Sequence, residues 1–208
     1  MVLKKLKLIL SIMKYLSLLF LAALFFAFGC GNSLKTGYQK VQSSDGGYSV
    51  VLPAEMREMK GLNASASMQY GNFDSGISFM VIVDDFLEYK KIVDANIGNF
   101  QMMECFDTTR AADIYGLKGY EFLIMQLSKA ETEDFRLDNS MDDDTVINGL
   151  KARVSEYREK IKGDNSAVIL CLYKGKNKLY QVYAMSSQKK LAENKQIMLD
   201  MVKSLEEN

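Results

Sequence analysis

The chain reads as an α+β domain, an antiparallel β-sheet flanked by about three helices, behind an apolar N-terminal segment. Three observations carry this. Runs of β-favouring residues recur in pairs around Gly-, Asn- and Asp-rich corners, which is the pattern of hairpins and hence of antiparallel pairing. Three other stretches space apolar residues at three and four, giving one stripe per helix. Helices with a single apolar stripe need a sheet face to bury it against, which defines the layered α+β class.

Residues 32–36 form a short polar linker. Residues 38–42 and 48–52 predict two strands around Ser44-Asp45-Gly46-Gly47, and Pro53 ends the second because it has no N–H for a ladder. Residues 54–65 look irregular. A second hairpin joins 68–70 to 77–83 across Gly71-Asn72-Phe73-Asp74-Ser75-Gly76. From Asp85 the period changes: Phe86, Tyr89, Ile92, Val93, Asn96, Ile97 and Phe100 predict a helix capped by Asp84 or Asp85 and running to about Met103. Residues 108–114 and 120–127, around Gly116-Leu117-Lys118-Gly119, read as a third hairpin. Asp142, Asp143 and Asp144 then open a helix striped by Val146, Leu150, Val154, Tyr157 and Ile161, with Gly163 as its stop. Residues 167–173 and 179–186 pair around Lys174-Gly175-Lys176-Asn177-Lys178. A terminal helix from about Ser187 buries Leu191, Met198, Val202 and Leu205.

The N-terminus fixes an address. Lys4, Lys5 and Lys7 precede a run from Leu16 to Phe28 that is apolar apart from Ser17, and Ala27-Phe28-Gly29-Cys30 closes it. This resembles a bacterial lipoprotein signal peptide. The resemblance implies cleavage before Cys30, acylation of the Cys30 thiol and new amino terminus, and a cell-envelope protein held to a membrane by its lipid. The organisation is then 1–29 signal peptide, 30–37 lipidated cysteine and tether, and 38–208 one domain. Two other readings stand beside it. Residues 8–28 just reach the roughly 20 apolar residues of a spanning helix, and Ala27-Phe28-Gly29 also meets the small-x-small rule of plain secretion.

Composition narrows the chemistry. Of the 26 basic side chains, four lysines lie in residues 1–29, where no acid occurs, leaving 22 against 26 acids and a net charge of −4. Such a domain lacks the basic footprint that phosphate backbones require, so nucleic acid is not an expected partner. Lys174, Lys176, Lys178, Lys189 and Lys190 read as solvated turn and helix-start lysines. The chain contains no histidine. Serine and cysteine hydrolases of the usual kind use an imidazole base, and catalytic zinc sites mostly use imidazole ligands; neither class is expected.

Gly47-Tyr48-Ser49-Val50-Val51-Leu52-Pro53, Ile114-Tyr115-Gly116-Leu117-Lys118-Gly119-Tyr120-Glu121, and Leu179-Tyr180-Gln181-Val182-Tyr183-Ala184 leading to a helix that ends Met201-Val202-Lys203-Ser204-Leu205 together resemble the PsbP-like fold. Photosystem II extrinsic proteins, a Ran-binding import factor and many bacterial lipoproteins share it. The similarity covers most of residues 38–206, with the Asp-rich stretch at about 131–163 as an elaboration. It implies a non-enzymatic protein that binds a protein partner or serves as an assembly factor, with no cofactor and no catalytic residues.

Candidate chemistry rests on a few residues. Asp138, Ser140, Asp142 and Asp144 alternate oxygen ligands as a calcium loop does, but Asp143 replaces the turn glycine and Gly149 the bidentate Glu, so capping of a helix N-terminus is the expected role and no metal is assigned. Cys105 and Cys171 are the thiols left if Cys30 is acylated. They form a disulfide, worth roughly 4 kcal/mol for a loop of 66 residues, or they are buried thiols, or one is a reactive thiol. Asp84, Asp85 and Glu121 are the carboxylates that a hydrolase or transferase without imidazole would use. A small apolar ligand between sheet and helix is a third reading. The tyrosines at 38, 48, 70, 115, 120, 173, 180 and 183 fall in or beside strands and are expected mainly in the core, some of them on a partner-binding surface.

Overall fold

The computed structural model describes residues 36–96, 111–141 and 143–208. Along the chain these form β1 (Tyr38–Gln42), β2 (Tyr48–Pro53), β3 (Arg57–Glu58), β4 (Ala66–Asn72), β5 (Ile77–Asp85), α1 (Phe86–Ala95), α2 (Ala111–Ile114) and α3 (Leu117–Glu131). They continue with β6 (Asp134–Ser140), β7 (Thr145–Ile147), β8 (Leu150–Ile161), β9 (Asp164–Lys174), β10 (Lys178–Ser187), a 3-10 turn Gln188–Lys190, α4 (Leu191–Val202) and β11 (Glu206–Glu207). All pairings among the described residues are antiparallel. The large sheet has the order β3-β4-β5-β10-β9-β8-β6 with β7 also on β8, and a small sheet has the order β1-β2-β11. The fold is α+β, an antiparallel sheet with helical cover.

The middle of the large sheet is covered on both faces, which is why β9 reads as an unbroken apolar run from Ala167 to Tyr173 with every residue buried. Alternation then sorts side chains between two cores. Phe79 and Val81 of β5, Tyr180, Val182 and Ala184 of β10, and Ile169, Cys171 and Tyr173 of β9 face the small sheet and α4. Met80 and Ile82, Leu179 and Tyr183, and Val168, Leu170 and Leu172 face α1 and α3.

The first core is closed by the C-terminus. Met198, Met201, Val202 and Leu205 are fully buried there, the Tyr173 hydroxyl donates to the Val202 carbonyl at 2.8 Å, and Ser204 accepts from the Val51 N–H at 2.8 Å. Leu191, expected in the core, is only half-buried at its edge. Of the eight tyrosines read as strand residues, Tyr48, Tyr173 and Tyr180 are fully buried, whereas Tyr120 and Tyr183 lie in the second core. Burial pushes the Cys171 thiol up to about 12, so it is inert at neutral pH. Its proposed partner Cys105 lies outside the described residues.

Two expected elements are corrected. The third hairpin is instead α2 and α3, with Leu117, Tyr120, Glu121, Ile124 and Met125 forming the buried helical stripe. Aromatic and branched residues in a short apolar run fit either period, and only burial decides between them. Gly119 is required where α2 meets α3, because a Cβ there would run into the Ile114 carbonyl. The second correction is that residues 143–163 form no helix but the edge of the large sheet, where β6 and β7 pair with successive stretches of β8. Asn148 and Gly149 both have positive φ (51° and 79°), as do Lys162 and Gly163 (51° and 88°). These are two-residue hairpin corners of the kind favoured by right-handed strand twist. Gly163 is thus the corner between β8 and β9, not a helix stop.

Candidate functional site

A groove of about 750 Å³ opens between the second sheet face and the helices α1 and α3. Its floor comes from alternate residues of β5 and β10, so Met80, Ile82, Tyr183 and Met185 point into it. α3 supplies one wall through Ile124 and Leu127, and Tyr157 of β8 extends the floor beneath it. Asp85 starts α1 by accepting from the N–H groups of Leu87 (2.7 Å) and Glu88 (3.1 Å), as an N-cap should. Tyr89 then packs edge to face on Tyr120, ring centroids 5.0 Å apart, and donates to the Ile114 carbonyl at 2.7 Å, locking α1 to α3.

A polar cluster sits at the α1 end. Asp84 accepts from the Tyr120 hydroxyl and from Gln181 Nε2 at 2.6 Å; the same amide reaches the Tyr120 oxygen at 2.9 Å, and Tyr183 donates to Gln181 Oε1 at 2.5 Å. Burial, followed by the Asp84 charge, raises the Tyr120 hydroxyl far above its ordinary range; burial also raises Tyr183, with Asp84, Glu159 and Glu131 adding to it. Both phenols stay protonated donors at any physiological pH.

Glu131 and Glu159 lie at the opposite end. Burial first, and the Glu131 charge second, raise the Glu159 carboxyl above the usual carboxylate range. Thr132 lines the same end, and its hydroxyl oxygen is buried with no hydrogen-bond partner among the described residues.

The structure separates the three carboxylates proposed for catalysis into three structural tasks. Asp85 caps α1 and Asp84 holds the tyrosine cluster. Glu121 lies between α3 and β8, where Arg153 Nε donates to it at 2.6 Å and Ser140 donates at 2.7 Å, with Ser155 donating as well. Arg153 also reaches Asp144 at 3.2 Å and the Met141 carbonyl. The acidic stretch is absorbed in the same way. Asp138 takes both Arg158 Nε and Nη2, at 2.5 and 2.6 Å, which holds its carboxyl below the usual range. Among the described residues no group of acids has the arrangement of a metal site. Asp142 and Cys30 lie outside the described residues. Three of the turn and helix-start lysines are engaged: Lys174 lies 4.2 Å over the Phe86 ring, Lys178 pairs with Asp45 at 3.5 Å, and Lys190 donates to the Asp74 carbonyl.

No family model matches the chain, and no curated protein matches it by sequence. Solved structures do: the cyanobacterial PsbP (CyanoP) of Synechocystis sp. PCC 6803 superimposes with a TM-score of 0.53 at 14% identity, over 86% of this chain and 98% of that one. LpqN, described as involved in cell envelope biogenesis of Mycobacterium tuberculosis, gives a TM-score of 0.46 at 8% identity over 81% and 88%. The domain has the PsbP-like fold, and the CyanoP comparison carries that assignment.

Proposed function

We propose that this protein is a non-enzymatic lipoprotein of the bacterial cell envelope, anchored through acylated Cys30, that works by binding. The observation that carries the absence of catalysis is the occupation of Asp84, Asp85 and Glu121 by fixed hydrogen bonds and an ion pair within the fold. A general base is aimed at substrate, whereas these three carboxylates are oriented by tyrosine, amide, backbone and arginine donors of the fold. The Lys-rich start and the Ala27-Phe28-Gly29-Cys30 box support the address, and the acidic net charge of residues 30–208 supports a partner other than nucleic acid.

A protein partner is the occupant that the PsbP-like resemblance implies. Exposed Leu87, Ile92 and Leu127 beside the groove supply an apolar contact surface of the kind partners bury. The groove itself favours a second reading, a small apolar ligand, because its volume falls within the range of small-molecule sites.

Recovery from membranes separates the readings. The full chain, carrying a photo-crosslinking residue at Leu127, is solubilised gently and its bound material identified by mass spectrometry. An adduct or an unchanged co-extracted molecule is expected, reduced when Ile124→Trp fills the groove. A chain recovered bare, or one that converts a co-extracted molecule into product, contradicts the proposal.

A further inference from the structure

The charged residues lining the groove are all of one sign. Asp84, Asp85, Glu88, Glu131 and Glu159 border it, and no lysine or arginine does so among the described residues. The acids at the α1 end are already used: Asp84 holds Tyr120 and Gln181, Asp85 caps α1, and Glu88 pairs with Lys91 at 2.6 Å. Glu131 and Glu159 at the other end have no cationic partner among the described residues, although neighbouring Glu133 and Lys160 pair with each other at 3.2 Å. The two ends are separated along α3 by the span from Tyr120 to Thr132, about 18 Å at about 1.5 Å rise per residue, and the floor between them is apolar. Tyr157 lines the groove near the acidic end, where an aromatic ring adds to the attraction for an ammonium group.

We propose that the groove holds a single-chain cationic amphiphile, its alkyl chain along Met80, Ile82, Ile124 and Leu127 and its amine or quaternary ammonium head against Glu131 and Glu159. Two features of that surface fit this occupant together: an apolar floor takes the chain, and two neighbouring carboxylates gain a counter-charge that the fold does not give them. An anionic lipid or fatty acid would add a charge of the same sign to a groove that already carries five. The inference deepens the binding function proposed above and depends on it.

The test uses the full chain in lipid nanodiscs and calorimetric titration with octyltrimethylammonium, with heats from empty discs subtracted. Octanoate and octyl sulfate serve as anions of equal chain length. Saturable binding of the cation alone is expected. Glu159→Gln should weaken it about tenfold, equivalent to about 1.4 kcal/mol, while Glu133→Gln, which removes the same charge outside the groove, should leave it unchanged. If Glu159→Gln fails to melt cooperatively, Glu131→Gln replaces it. Equal binding of the anions, no saturable heat, or equal weakening by Glu133→Gln overturns the inference. None of these outcomes bears on a crosslinked protein partner, so the two tests fail separately.

Discussion

Arg153 of β8 and Glu121 of α3 face each other across the sheet–helix interface with Nε and Oε2 2.6 Å apart, both side chains almost wholly buried. Ser140, Ser155 and Asp144 complete the network, so the pair joins α3 to β8 and the segment that leads out of β6. Buried ion pairs add little net stability, but breaking one leaves an uncompensated charge. Arg153→Leu should therefore destabilise the domain by about 3–5 kcal/mol, measured by denaturant unfolding. The double variant Arg153→Leu/Glu121→Leu should recover much of that loss. Equal stability of the single variant and the parent would show that α3 does not depend on this pair.

Glu159 has a raised pKa through burial and Glu131, so the folded state holds its proton more tightly than the unfolded chain does. Its contribution is favourable below the ordinary glutamate pKa and is lost as pH rises through the elevated value. Glu159→Gln should accordingly raise the melting temperature at neutral pH and change it little at acid pH. A stabilisation that is the same at both pH values would contradict the assignment.

The acidic stretch is committed to arginines. Asp138 is bound by Arg158 and Asp144 by Arg153 and Lys151, so millimolar calcium should shift the melting temperature no more than an equal ionic strength of sodium chloride does. A real site would show itself, since ligand at 100 Kd adds about 2.7 kcal/mol. A saturable calcium shift lost in Asp144→Asn would overturn this.

Truncation after Ser187 removes α4 and β11 together, stripping both the cover over Phe79, Val182 and Cys171 and the third strand of the small sheet. Met198, Met201, Val202 and Leu205 alone represent about 6–12 kcal/mol at about 1.5–3 kcal/mol each, comparable to the roughly 5–15 kcal/mol of a whole domain. The truncated chain should aggregate or stay unfolded by circular dichroism. Cooperative melting would make α4 a detachable arm.

Legibility in the sequence followed the physics of each element. Strands with one strong signal, the all-apolar run of β9 or the Gly-rich corner between β1 and β2, could be read directly; the cap of α1 could be narrowed to Asp84 or Asp85, and Met198 and Val202 of α4 were legible as core. The α3 segment was misread because Leu117, Tyr120 and Ile124 sit in a run whose residue types also favour strands. The β7–β8 corner did carry a usable signal: Asn148-Gly149 is the two-residue hairpin dipeptide, outweighed by a stripe at 146, 150, 154, 157 and 161 that fits a helix equally well. The groove was not legible residue by residue. Asp84, Tyr120, Gln181 and Glu159 meet only through sheet register and the placement of α3, and no local pattern marks Gln181 or Glu159. Asp84 and Glu121 could be named only as candidate carboxylates, because the partners that decide their roles lie far away in sequence.

The intact mass of the polypeptide recovered from the membrane fraction tests most directly the proposal that a lipid on Cys30 holds this domain at a membrane. The account predicts a chain that begins at Cys30 and carries added acyl mass, with Cys30→Ser released from the membrane or trapped as the uncleaved precursor. A membrane-bound chain that retains residues 1–29 without acyl mass, unchanged by Cys30→Ser, would contradict it.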